Sequence, residues 1–211
     1  MYEKEREAMI EKLIASGYLR SDRVIDAMRT VYRHQFLPRE LWKYAYDDTP
    51  LPIGKGQTIS APHMVAIMCE ALELGENQKV LEIGAGSGYH ACVVAHITGC
   101  VFTVERVREL ADVAEENIKR AGCTGVEIII GDGTEGYEKE APYDRILVTA
   151  GAPDIPPELL RQLRVGGILL IPLGSRFFQE LVVVHKKSEK DAERRNLGGC
   201  AFVPLVGKHG W

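Results

Sequence analysis

The sequence predicts an α/β fold: a doubly wound, mostly parallel sheet with helices at the N-terminal end and antiparallel strands at one edge. Three observations carry this. From Lys79 onward, short apolar runs at 80–83, 101–104, 126–130, 145–149 and 168–171 alternate with helical stretches, the rhythm of parallel strands covered on both faces. The first run passes directly into a glycine-rich turn, VLEIGAGSGYH. No strong helix separates the fifth run from a sixth at 181–185, and the charged stretch KKSEKDAERRNLGG is assigned a hairpin-type connection, hence antiparallel edge strands.

Taken in order, the first segment has Ala8, Leu13 and Ile14 on an apolar side and Gly17 as its stop. Ser21 is placed to cap a second helix, where Val24, Ala27, Met28 and Val31 fall at helical spacing. Pro38 opens a short segment through Trp42. From Asp47 to Ala61 the pattern dissolves into DDTPLPIGKGQTISA, a loop long enough to suspect of function. Pro62 suits the first turn of a third helix bearing Val65, Met68, Cys69 and Leu72, which leaves Ala61, a poor capping residue, at its N-cap. The clearest helix is 108–121, with Leu110, Val113, Ala114, Asn117, Ile118 and Ala121 on one side and Gly122 ending it. No repeat or linker divides the 211 residues. One domain is expected, with helices and loop over 1–75, a core over 76–175 and strands over 176–211.

Bulk properties narrow the function. A formal net charge of -4 and a pI near 5.9 argue against a broad grip on nucleic acid. The five cysteines are odd in number and lack C-x-x-C spacing, which favours reduced thiols in a cytoplasm over disulfides or zinc. The six histidines form no metal-like cluster, so no metal is expected. The start, MYEKEREAMIEKL, is charged and unlike a signal peptide, and no run is long enough to span a bilayer. The expectation is a soluble cytoplasmic protein without nucleic-acid or membrane partners, a monomer being favoured.

Gly84, Gly86 and Gly88 follow a buried strand and precede a helix, so backbone can approach a ligand closely there. The dinucleotide fingerprint G-x-G-x-x-G is not met, because its last position is Tyr89. A tight strand-to-helix connection is the plain alternative. The next strand, VFTVER, ends in Glu105, where a carboxylate can accept from both hydroxyls of a ribose; a surface pair with Arg106 or Arg108 is the competing account. The third strand delivers Asp132 and Gly133, a carboxylate and a backbone N–H suited to an adenine edge, although Asp-Gly is also a common turn pair. Together the three strand ends point to an adenosine-bearing ligand.

VLEIGAGSGY, the acid closing VFTVE, GDG, YDRILVTA and LRVGGILLIPLG resemble the successive motifs of class I S-adenosylmethionine-dependent methyltransferases. More narrowly, GQTISAPHMVA and FVPLVG resemble the protein-L-isoaspartate O-methyltransferase family, over Arg23 to Trp211. The resemblance implies a seven-stranded Rossmann-like sheet and S-adenosyl-L-methionine as cofactor, with S-adenosyl-L-homocysteine as product. It also implies a repair reaction on the α-carboxylate of isoaspartyl residues in damaged proteins and peptides. Ser60 matches the family's active-site serine. Gln57, Thr58 and Ile59 belong to the loop closing over the cofactor, and His63, in the first helical turn beside it, matches a cofactor contact, a structural histidine being its alternative. Glu82 matches the acid orienting the methionine amino group, and Val206 a position near substrate. AFVPLVGKHGW would add a strand and a turn on the substrate side, or be an ordinary edge strand.

Residue chemistry agrees with this. A carboxylate nucleophile is ionised at neutral pH and needs no general base, and no nucleophile elbow is present. Ser60 is then a guide for the acceptor carboxylate; a local helix cap is its alternative, and Thr58 either touches cofactor or orders the loop. The place where amino-methyltransferases usually carry Asn/Asp/Ser-Pro-Pro-Tyr reads VTAGAP. The rivals are a methyltransferase with a small-molecule or RNA acceptor and a non-enzymatic adenosine-binding domain.

Overall fold

The computed structural model describes residues 2–211. Helix α1 (Glu3–Ala15) buries Met9, Ile10 and Leu13, while Ala8 is exposed and Ile14 is 41% exposed. The buried stripe is therefore turned from the expected one, because Met9, Ile10 and Leu13 form the wider apolar face. Gly17 stops the helix as expected, at φ 72, with Tyr18 N–H bonding Leu13 carbonyl at 2.9 Å. In α2 (Asp22–Thr30), Val24, Ala27 and Met28 are buried. Ser21 does not cap it with its side chain. Instead Glu70 accepts the N–H groups of Arg20 and Ser21 and the Ser21 hydroxyl at 2.8, 2.9 and 3.1 Å, pinning the turn to the next helix.

Short 3-10 turns at 33–36 and 39–44 lead into a hairpin the sequence did not reveal. Its strands are β1 (Leu51–Gly54) and β2 (Gln57–Ile59), paired antiparallel. Four and three residues are too few to show alternation, so the segment reads as loop. The reversal uses positive φ at Gly54, Lys55 and Gly56 (94°, 52° and 71°). Helix α3 (Pro62–Ala71) starts at the proline and buries Val65, Met68 and Cys69 as expected. Ala61 gives it no side-chain cap. That duty falls to Asp48, whose Oδ1 accepts the His63 N–H at 2.9 Å.

The sheet follows: β3 (Lys79–Ile83), α4 (Tyr89–Thr98), β4 (Cys100–Glu105), α5 (Arg108–Ala121), β5 (Val126–Ile130), β6 (Tyr143–Val148), α6 (Pro157–Gln162), β7 (Leu163–Gly174), β8 (Gln179–Lys186) and β9 (Ala192–Cys200). Its seven strands stand in the order β5-β4-β3-β6-β7-β8-β9. The first five in that order are parallel, and β7-β8 and β8-β9 are antiparallel. Helix α5 has the expected bounds, although Val113 is 45% exposed rather than buried.

Two expectations at the C-terminal end are corrected. The turn between β7 and β8 is 175–178, and the charged stretch assigned to a connection is largely strand β9. Most of β9 is exposed, so it lacks the alternating apolar face that marks a strand in sequence. Residues 201–211 form no strand; an isolated bridge between Gly151 and Pro204 ties them to the end of the fourth parallel strand.

Alternation along the parallel strands divides the core. Val80, Val101, Leu147 and Leu170 face a layer containing α1 to α4. Leu81, Ile83, Val104, Ile146, Val148 and Leu169 face the other side, where Leu159 of α6 packs. The chain steps from β3 outward to β4 and β5 and then returns to the far side of β3. That reversal opens a crevice beyond the carboxyl ends of β3 and β6.

Candidate active site

The crevice is an open cleft enclosing about 910 Å³ of empty space, solvent at its mouth included. Its floor is the turn from Ile83 through Ser87. Gly84 has φ 97, and a Cβ there would lie 2.5 Å from Thr149 Oγ1, so no side chain fits between the two strand ends. Asn117 of α5, itself buried, donates to the Ser87 carbonyl at 2.9 Å and anchors the turn from behind.

Glu105 closes one wall. Its Oε2 accepts the Gly86 N–H at 3.0 Å and its Oε1 the Val107 N–H at 2.9 Å. Each oxygen keeps a further lone pair for a ligand hydroxyl. Among the described residues no cation lies within ion-pair distance of it, so the pairing with Arg106 or Arg108 does not form. Gly133 lines the same wall, with no room for a Cβ, which would come 2.3 Å from Ile83 Cγ2.

The hairpin forms the facing wall: Gln57, Thr58, Ile59 and Ser60 all line the cleft. Among the described residues no hydrogen bond from Ser60 caps α3, since the His63 N–H is taken by Asp48. Val203, Pro204, Leu205 and Val206 complete the rim, held by Leu205 N–H on Gly151 carbonyl at 2.8 Å.

Nine of the expected residues thus share one cavity: Gln57, Thr58, Ile59, Ser60, Gly84, Gly86, Glu105, Gly133 and Val206. The other four do not line it. Gly88 begins α4 at φ 85, and a Cβ there would press on Ile118 of α5 at 3.0 Å, so its glycine serves helix packing. Asp132 Oδ1 accepts the Thr134 N–H and hydroxyl (2.9 and 2.7 Å) and Oδ2 accepts the Lys208 N–H (2.8 Å). Partial burial opposes its ionisation, but these donors outweigh that and hold its pKa below the ordinary value. His63 pairs with Asp48 through Nδ1 at 2.9 Å. Glu82, 1% exposed, points into the helix-covered face of the sheet and accepts the Thr103 hydroxyl at 2.6 Å. Burial pushes its pKa up to about 8, against the Thr103 bond and with the nearby Glu105 charge adding to it.

Several lining residues escaped the sequence reading, among them Ser87, His90, Arg106, Val107, Thr149 and Ala150. The last two directly follow β6, and the switch-point rule that selects Glu105 selects them as well. His90 carried no such signal. It is 7% exposed, bonded through Nε2 to Cys69 Sγ at 3.3 Å, and burial lowers its pKa to about 3, so it stays neutral. Among the described residues no group of three or more His, Cys, Asp or Glu comes together as a metal site.

A glycine turn, a strand-end acid with free lone pairs and a switch-point cleft define a class I S-adenosylmethionine-dependent methyltransferase. Known proteins narrow this. A profile described as protein-L-isoaspartate(D-aspartate) O-methyltransferase matches residues 4–210, and the chain belongs to that family. It is 56% identical to a protein-L-isoaspartate O-methyltransferase of Methanopyrus kandleri over 215 aligned positions, covering 100% of this chain and 95% of the relative. Identity to the protein of the same description from Geobacter metallireducens is 52%, covering 98% and 95%. A Plasmodium falciparum structure described as a protein-L-isoaspartate O-methyltransferase, in complex with S-adenosyl-L-homocysteine, superposes with a TM-score of 0.85 at 29% identity, covering 95% of this chain and 98% of that one.

Proposed function

We propose that the cleft transfers a methyl group from S-adenosyl-L-methionine to the free α-carboxylate of L-isoaspartyl residues in damaged proteins and peptides. The observation that carries this reading is that Ser60 and its hairpin line the same cavity as Gly84, Gly86 and Glu105.

The cleft suits the cofactor. Glu105 retains acceptor capacity for two ribose hydroxyls, and the glycines leave room where backbone must approach closely. Gly133 offers backbone to the adenine side, and Asp132 acts by holding that turn through Thr134 and Lys208. When bound, the cofactor supplies an electrophilic methyl on a sulfonium. The acceptor carboxylate needs no deprotonation at neutral pH, and no Ser/His/Asp relay is invoked.

Orientation and dryness remain for the protein to provide. Ser60 hydroxyl donates to one acceptor oxygen and aims the other along the line of transfer. Gln57, Thr58 and Ile59 cover the cofactor, and Val203 to Val206 hold the flanking peptide. Such alignment contributes on the order of 7–11 kcal/mol in well-oriented systems. The resulting methyl ester has a leaving group that a carboxylate lacks: the neighbouring backbone amide nitrogen attacks the ester carbonyl, methanol departs, and the succinimide formed without further catalysis hydrolyses partly to aspartate.

No helix among the described residues is long and apolar enough to cross a membrane, and all five cysteines are free. A cytoplasmic setting supplies both the reducing conditions and the ageing proteins this reaction addresses. The test uses tritium-labelled donor with an isoaspartyl peptide and its aspartyl counterpart. Labelling confined to the isoaspartyl peptide is expected, and equal labelling would overturn the reading.

A further inference from the structure

The turn joining β7 to β8 displays two aromatic rings to solvent: Phe177 is 92% exposed and Phe178 61%. Neither is needed to close the core, and Val206 on the cleft rim is also 39% exposed. The turn is ordered by Ser175, whose Oγ accepts the N–H groups of Phe177 and Phe178 at 3.3 and 3.1 Å and whose own N–H bonds Phe178 carbonyl at 2.9 Å. The rings are therefore presented from a fixed backbone, which reduces the ordering cost of a contact made there.

The turn is continuous with the rim. Arg176 stacks its guanidinium over the Trp211 ring at 5.1 Å. Trp211 donates its indole N–H to Gly151 carbonyl at 3.1 Å and its backbone N–H to Leu205 carbonyl at 2.9 Å. Leu205 lines the cleft. Two contacts thus separate the aromatic turn from the rim of the cleft.

We infer that Phe177 and Phe178 form a docking patch for the polypeptide flanking the isoaspartyl residue, taking an aromatic or aliphatic side chain of the substrate. This rests on the isoaspartyl reading above. The size of the patch favours a peptide over a second copy of this chain: two phenyl rings offer about 300 Å², well under the ~800 Å² per partner of a stable dimer. An extended segment leaving the cleft past Val206 and Trp211 needs only one or two such side-chain contacts.

The test is Phe177→Ser, a change at a position too exposed to disturb folding, with Phe177→Tyr as the conservative variant. Initial rates are measured with a minimal capped isoaspartyl peptide and with a long one carrying aromatic residues on both sides. The serine variant is expected to raise KM for the long peptide about tenfold, with kcat, donor affinity and KM for the minimal peptide unchanged and with tyrosine restoring the loss. An unchanged KM for the long peptide, or an equal rise for both, overturns the proposal. So does sedimentation showing a dimer that Phe177→Ser dissolves, which would assign the patch to self-association. If the unaltered protein labels neither peptide, the isoaspartyl reading fails and the docking patch with it; labelling of both by the unaltered protein keeps the two questions apart.

Discussion

One carboxylate oxygen, Asp48 Oδ1, accepts the backbone N–H of His63 and lies 2.9 Å from its ring Nδ1 as well. It caps α3 from outside the helix and fixes the strand-to-helix corner on which Ser60 stands. Asp48→Ala should destabilise the protein by about 1 kcal/mol, the usual worth of a lost cap. Thermal melting and methyl-transfer rates check this together. Asp48→Asn, which keeps an acceptor oxygen, should recover most of the stability.

If Ser60 guides the acceptor carboxylate as proposed, Ser60→Ala should slow methyl transfer at least tenfold and leave donor affinity within about twofold. Calorimetry with S-adenosyl-L-homocysteine and steady-state rates separate the two effects. A parallel collapse of affinity would make Ser60 a cofactor or folding residue.

Glu105→Gln replaces one acceptor oxygen with an NH₂ that must face the N–H of either Gly86 or Val107. Bonds to charged groups are worth about 1.5–3 kcal/mol, so S-adenosyl-L-homocysteine affinity should fall at least tenfold. Titration calorimetry reads this directly.

Glu82 gives the protein a pH dependence of definite sign. Its pKa is raised in the folded protein from 4.5 to about 8, so the folded state holds a proton that the unfolded chain has released. The stabilisation is complete below the unfolded value and is lost as pH rises through the folded one, a span worth a few kcal/mol. Melting of the ligand-free protein should therefore fall between about pH 5 and 8. Glu82→Gln should flatten that slope and raise the melting temperature at the alkaline end. An unchanged slope would show that other groups set it.

The parallel half of the fold was legible because buried strands are continuous apolar runs and α5 carries a full helical period with a glycine stop. The β1–β2 hairpin and β9 were not, the first for its brevity and the second because a mostly exposed edge strand keeps no apolar face. Within the site, Gln57, Thr58, Ile59 and Ser60 of the loop and Glu105 and Gly133 at strand ends do line the cleft. Glu82, expected from the family motif, and Asp132, expected from its place after the third strand, do not line the cleft; their oxygens are engaged by partners distant in sequence, the Thr103 hydroxyl and the Lys208 N–H. Asp48 sits fifteen positions before the residue it serves, and no local pattern announces such a pairing.

The polar character that hid β9 from the sequence reading has a use of its own. Glu193, Arg194 and Arg195 interrupt the outermost edge with charge, which discourages foreign strands from zipping onto its unpaired amides. On the isoaspartyl reading proposed above, a border hostile to backbone capture favours release of a mended polypeptide over pairing with its exposed strands.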